Sequence, residues 1–146
     1  MKAQFLIIAM AVVLIALGQA CKKKGEGMED FSGALNLQYE SYKIIKDNRD
    51  NPVRAGKLFT EYYKKNHDTL AGAFNRYYKR YGDGSNLTRD EADFLDGEMR
   101  KVNDLLSDRD IRKVMDDPAF IEEAREGTSI LTEATEGAKK SGGKSE

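Results

Sequence analysis

The longest apolar run in the chain comes first: thirteen uninterrupted apolar positions from Phe5 to Leu17, preceded by Lys2. From Asp30 onward the pattern changes. Apolar residues then recur every three or four positions, the period of a helix with one buried face. No stretch alternates with period two, and no Val/Ile/Thr run is bracketed by glycines, so strands are not expected. The first helix is expected from Asp30 to Asn48. Phe31, Leu35, Tyr42 and Ile45 share one face with Gln38 among them, whereas Leu37 and Ile44 point elsewhere, toward a second contact surface.

Helix boundaries are clearest in the middle of the chain. "DNP" sets Asn51 as N-cap and Pro52 at the first helical position, where its missing N–H costs nothing. The second helix is expected to run to Tyr81 and stop at Gly82, a suitable residue just past a helix end. Its apolar stripe comprises Ala55, Phe59, Tyr62, Tyr63, Leu70, Ala73, Phe74, Tyr77 and Tyr81. On the opposite face stand Arg54, Lys57, Lys64, Lys65, Arg76 and Lys79, with Glu61 and Asp68 spaced to pair with Lys64 and Lys65.

"LTRDEA" has the form of a capping box, Thr88 at the N-cap and Glu91 three residues on, flanked by Leu87 and Ala92. Leu95, Met99, Val102 and Leu106 mark the buried stripe of this third helix. Gly97 inside it costs about 1 kcal/mol relative to alanine, which points to a close helix crossing there. Shorter pieces follow, "SDRDIRKVM" from Ser107 or Asp108 and "DDPAFIEEA" from Asp117, with a final amphipathic turn around Ile130, Leu131 and Ala134. The expected fold is an all-α bundle of three longer helices and one or two short ones. The bundle is assigned to 29–126, and 127–146 to a weakly helical or disordered tail, because "GAKKSGGKSE" is poor in apolar residues.

The leading apolar run is short for a membrane span, which needs roughly 20 residues. A positive start, an apolar centre of this length and small residues at Gly18 and Ala20 describe a secretory signal peptide over 1–20. Cys21, the sole cysteine, follows at once, and "KKKGEG" at 22–27 forms a short tether. No intrachain disulfide is possible, and an exposed thiol in an oxidising compartment needs a reason. The segment around it, "LIALGQAC", resembles the lipobox of bacterial lipoproteins, in a relaxed form with Gly18 three places before the cysteine and Leu17 one step further. The resemblance implies cleavage before Cys21 and covalent acyl groups on it as the membrane anchor. Two or three acyl chains hold stably where one holds marginally, at about 0.8 kcal/mol per buried methylene. Three lysines beside the lipid would each add about 1 kcal/mol of attraction to anionic headgroups. Ordinary cleavage after Ala20, leaving a protein with an odd thiol, is the alternative. By the same resemblance, Lys22 in place of an aspartate implies the outer membrane of the envelope.

Residues 21–146 carry 23 Lys plus Arg against 25 Asp plus Glu, a balance unlike that of a nucleic-acid binder. The candidate chemistry is thin. His67, the single histidine, falls at the edge of the second helix's apolar stripe near Tyr63, Phe74 and Tyr78, where a boundary histidine covering the core is expected. One histidine excludes a di-metal site with two Glu-x-x-His motifs, and no zinc cluster is expected because the only thiol is taken up by acylation. Haem ligation would need His67 with Met99 or Met115, and no spacing supports it. There is no nucleophile elbow and no phosphate loop. "YGDGSNLTRDEADF" fails as a calcium loop: with Asp83 at the fifth position, Lys79 and Tyr81 occupy the first and third, and Glu91 falls at the thirteenth. Neither metal nor cofactor is expected, and no catalytic residue is assigned.

Two features carry a functional reading. All seven tyrosines lie between Tyr39 and Tyr81, and the charge swings along the chain. Residues 52–82 hold seven basic against two acidic side chains, and residues 83–123 hold six against thirteen. The simpler account lays the second helix against the acidic third, with charges matched inside the bundle and tyrosine hydroxyls at its rim. The alternative is a basic, tyrosine-edged interaction face of Lys57, Lys64, Lys65, Arg76, Lys79 and Tyr78, presented to an envelope protein or anionic polymer. "YKIIKDNRDNPVRAGKLFTEYYKKNHDTL", Tyr42 to Leu70, resembles a pattern in small helical lipoproteins of spirochaetes and deltaproteobacteria, which implies the same fold and location. The expected role is non-catalytic, structural or docking. A small-ligand carrier using the tyrosine-rich helices is one alternative, and a His67-based enzyme or metal binder the other.

Overall fold

The computed structural model describes residues 26–82 and 84–142. The signal segment, Cys21 and most of its tether, and the last four residues lie outside that range. Among the described residues there are five helices: α1 Glu26–Asp47, α2 Pro52–Tyr81, α3 Arg89–Ser107, α4 Arg109–Met115 and α5 Pro118–Gly142. Among the described residues there is no strand, and the all-α bundle is what the period of the sequence implies.

The helix ends form where the capping chemistry sets them. The Asn51 side chain accepts the Arg54 amide at 3.0 Å, and Pro52 opens α2. Gly82 closes α2 with a φ of 57°, a left-handed conformation that favours glycine. The Thr88 capping box is complete: Glu91 donates its amide to Thr88 Oγ1 at 3.2 Å, and the Thr88 amide donates to Glu91 Oε2 at 2.9 Å. Asp108 and Asp117 accept the Asp110 and Ala119 amides, each at 2.9 Å, to start α4 and α5.

Cross-helix contacts give the directions. Phe31 stacks on Tyr77 at 4.0 Å between ring centroids, and Ser41 meets Tyr63, so α1 and α2 are antiparallel. Ser32 reaches Glu98, and Lys46 reaches Asp108 just past the end of α3, so α3 runs parallel to α1. Gly56 lies beside Phe120, Thr60 beside Gly127, and Lys64 beside Glu126, so α5 runs parallel to α2. The α2–α5 pair is the most extensive of all the helix pairings; α3 packs on α1, and α4 crosses one end to touch α1, α3 and α5. Phe31, Tyr42, Ile45, Tyr63, Leu70 and Ile111 are almost completely shielded and form the centre of the core.

Three sequence expectations are corrected. Four helices are long, not three, because the expected short piece and tail fuse into one 25-residue helix, α5. Leu131, Ala134 and Ala138 are buried there, and packing against α2 outweighs the weak intrinsic propensity of "GTSILTEATEGAKK". Gly97 makes no close crossing: it is exposed, and a Cβ built on it would meet nothing within 4 Å. The close crossing lies at Gly56 and Gly127, where a Cβ would come within 2.7 Å of Glu123 Cβ and 2.9 Å of Thr60 Cα respectively. Finally, α2 does not lie along α3, so the charge-matching account of the bundle fails; α1 and α5 are the helices that flank α2.

Candidate functional site

The six residues of the expected interaction face separate into three groups. Lys57, Lys64 and Lys65 are exposed on the outer side of the first half of α2. Lys64 Nζ pairs with Glu126 of α5 at 2.7 Å, not with Glu61 or Asp68 on its own helix. Among the described residues, Lys57 and Lys65 form no ion pair. Arg76 is committed to α1: its Nε and Nη2 both reach the Asp30 carboxylate at 2.8 Å. That hydrogen bond is the largest cause holding the Asp30 carboxyl below its ordinary range and raising Arg76 above its own. Lys79 is exposed in the last turn of α2. Tyr78 does not belong to the face, because it is buried, and burial pushes its phenol up to about 12.

The tyrosines build the interior. Tyr63 is completely buried, and its hydroxyl shares a 2.9 Å hydrogen bond with Ser41, which itself donates to the Gln38 carbonyl at 2.7 Å. Tyr42 lies alongside them, pushed up to about 12 by burial. Tyr77 packs against Tyr78, Tyr81 and Phe31. Tyr81 donates to Glu91 Oε1 at 3.0 Å, locking the end of α2 onto the first turn of α3. The Tyr63 and Tyr81 hydroxyls thus sit inside the bundle in defined hydrogen bonds, not at its rim. Several of the tyrosine faces are turned on neighbouring rings. A shallow groove of about 270 Å³ runs between α1 and α3, lined by Leu35, Asn36, Tyr39, Glu98, Lys101 and Val102.

His67 is not a boundary residue covering the core. Its side chain is 47% exposed, with Nδ1 3.0 Å from the carboxylate of its neighbour Asp68, itself fully exposed. Among the described residues, no group of three or more His, Cys, Asp or Glu is placed to hold a metal ion. Asp83, the residue on which the calcium-loop comparison turned, lies outside the described residues, as does Cys21. No described helix is long and apolar enough to cross a membrane.

The sequence reading missed the seam between α2 and α5. Thr60 Oγ1 donates to the Glu123 carbonyl at 2.7 Å, a side-chain bond between helices made possible by the glycines on either side of it. The visible signal was Gly56 spaced four residues before Thr60, a small-residue pattern with no partner helix assigned to it. The protein is thus an all-helical bundle with a glycine-lined central crossing. No protein-family model, curated protein or solved structure matches the chain.

Proposed function

We propose that this protein is an exported lipoprotein, acylated at Cys21 and held at the cell envelope, whose helical domain serves a non-catalytic docking role. The lipobox-like segment supports the anchor, and Lys22 after the cysteine favours the outer membrane. The observation that carries the docking role is the position of α2. Because α3 packs on α1, it does not lie across the outer face of α2, and Lys57 and Lys65 are exposed with no ion pair among the described residues. Such a ridge attracts an anionic protein or polymer of the envelope, with on-rate and specificity gaining more than raw affinity.

The test uses the full chain in its native envelope. Lys57→Glu, Lys64→Glu and Lys65→Glu together remove crosslinking to the envelope partner while helicity and thermal stability persist, since all three side chains are exposed. An unchanged crosslinking pattern refutes the docking role. Cys21→Ser tests the anchor separately: lipidation requires loss of membrane retention and of normal processing, and a variant processed and located like the parent refutes it.

A further inference from the structure

Both α2 and α5 end in cations. Lys79 and Arg80 occupy the last turn of α2, and Lys139 and Lys140 that of α5. Lysine or arginine at a helix C-terminus complements the helix dipole, which accounts for each pair alone. The parallel packing adds something the dipole does not require: it brings the two ends to the same pole of the bundle. All four side chains are exposed. Among the described residues none of the four forms an ion pair, and Arg80 lies 5.6 Å from the centroid of the Tyr81 ring.

α1 begins at this pole. Asp30 and Phe31 in the opening turns of α1 touch Arg76 and Tyr77 near the end of α2. Between Cys21 and the start of α1 at Glu26 the backbone spans at most about 18 Å, five residues at roughly 3.6 Å each. The charges at the pole are divided by side. Among the described residues, Glu29, Asp90 and Asp93 belong to α1 and α3, whereas Glu136 is the acidic residue nearest in sequence to the lysines that end α5. The far pole is where α2, α4 and α5 begin, and there Asp108 and Asp117 are occupied as caps.

We propose that the α2–α5 edge of this pole rests on the anionic lipid surface to which the chain is anchored, as a second, electrostatic contact that fixes the orientation of the bundle. The proposal rests on the Cys21 anchor. An acylated cysteine holds the pole within a few Debye lengths of the headgroups, and each cation near such a surface adds about 1 kcal/mol of attraction. Lys57 and Lys65 lie in the first half of α2, away from the end that carries Lys79 and Arg80, and stay free for a partner.

The experiment is a lysine-acetylation footprint of the mature protein, purified from its membrane and reconstituted into two kinds of vesicle: pure phosphatidylcholine, and phosphatidylcholine with one-quarter phosphatidylglycerol. Lys79, Lys139 and Lys140 should react at least fivefold more slowly in the anionic vesicles, with that protection lost in 0.5 M NaCl. Lys57 and Lys113 should react alike in both. Equal reactivity of the three pole lysines in the two vesicles overturns the proposal, and so does protection concentrated on Lys57, Lys64 and Lys65, which would lay the ridge on the membrane. Intact mass of the same sample separates the two readings. An unmodified Cys21 overturns the anchor and the orientation with it, whereas an acylated protein with uniform lysine reactivity overturns the pole contact alone.

Discussion

Gly127 of α5 faces Thr60 of α2 so closely that a methyl group on the glycine would lie 2.9 Å from the threonine Cα and 3.1 Å from its Oγ1. The nearest atom belongs to the Thr60 backbone, and the Phe59 ring closes the contact at 3.0 Å. One turn earlier Gly56 stands in the same relation to Glu123 and the Phe120 carbonyl. The longest helix contact of the bundle is therefore built on the absence of two side chains.

Gly127→Ala and Gly56→Ala are each expected to cost about 1–3 kcal/mol, the usual range for overpacking a closed contact. Gly97→Ala and Gly33→Ala are expected to gain about 0.5–1 kcal/mol, since both glycines sit in exposed helix with open space around the new methyl. Urea unfolding of the four variants should give opposite signs for the two pairs. A loss at Gly97 as large as that at Gly127 would contradict the crossing.

The Ser41–Tyr63 bond is sealed inside the α1–α2 pair. Tyr63→Phe leaves the Ser41 hydroxyl still bonded to the Gln38 carbonyl, so a loss of about 1 kcal/mol is expected. Ser41→Ala strands the phenol of Tyr63 in the core and should cost about 1–3 kcal/mol. A double-mutant cycle should then show the two changes to be less than additive.

Alkaline pH should unfold the protein ahead of its surface chemistry. Tyr42 and Tyr78 are each pushed up to about 12 from an ordinary 10, so the folded state holds protons that the unfolded chain gives up. Their contribution is fully present below pH 10 and is lost as pH rises through 12, at about 1.4 kcal/mol per pH unit for the fully buried Tyr42. Phenolate absorbance at 295 nm and far-ultraviolet circular dichroism, followed together from pH 9 to 12.5, should change in one cooperative step. Tyrosine ionisation complete before any loss of helix would contradict the burial.

Exchange of His67 for glutamine should change stability by less than about 0.5 kcal/mol, as expected of an exposed side chain beside an exposed partner. Thermal unfolding at pH 7 measures this. A larger loss would mean that the ring does cover the core, as its place on the helical wheel implied.

Local chemistry made much of the fold legible. Asn51-Pro52, Gly82 and the Thr88–Glu91 box fix helix ends through groups within four residues of one another, so their geometry follows from the sequence directly. The run from 127 was harder to read because its glycine and threonines argue against helix on their own. In the bundle Thr128, Thr132 and Thr135 return their hydroxyls to carbonyls four residues back, and Gly127 is required by Thr60. The candidate face was legible as a count of charges but not as a surface. Arg76 and Tyr78 left it for Asp30 and the core, through contacts with residues far away in sequence.

What the sequence determined alone was the class of fold, the places where the second and third helices begin and the point where the second ends, and the charge asymmetry along the chain. These depend on periodicity and on neighbours within a turn or two. Only the tertiary structure decided which helix lies beside which. Amphipathic helices offer apolar stripes that are nearly interchangeable, and the choice rests on shape at a few points: two glycines and a threonine bring α5 to α2, and α3 is left to α1. That choice leaves the basic ridge of α2 exposed and brings the ends of α2 and α5 to the pole where α1 begins.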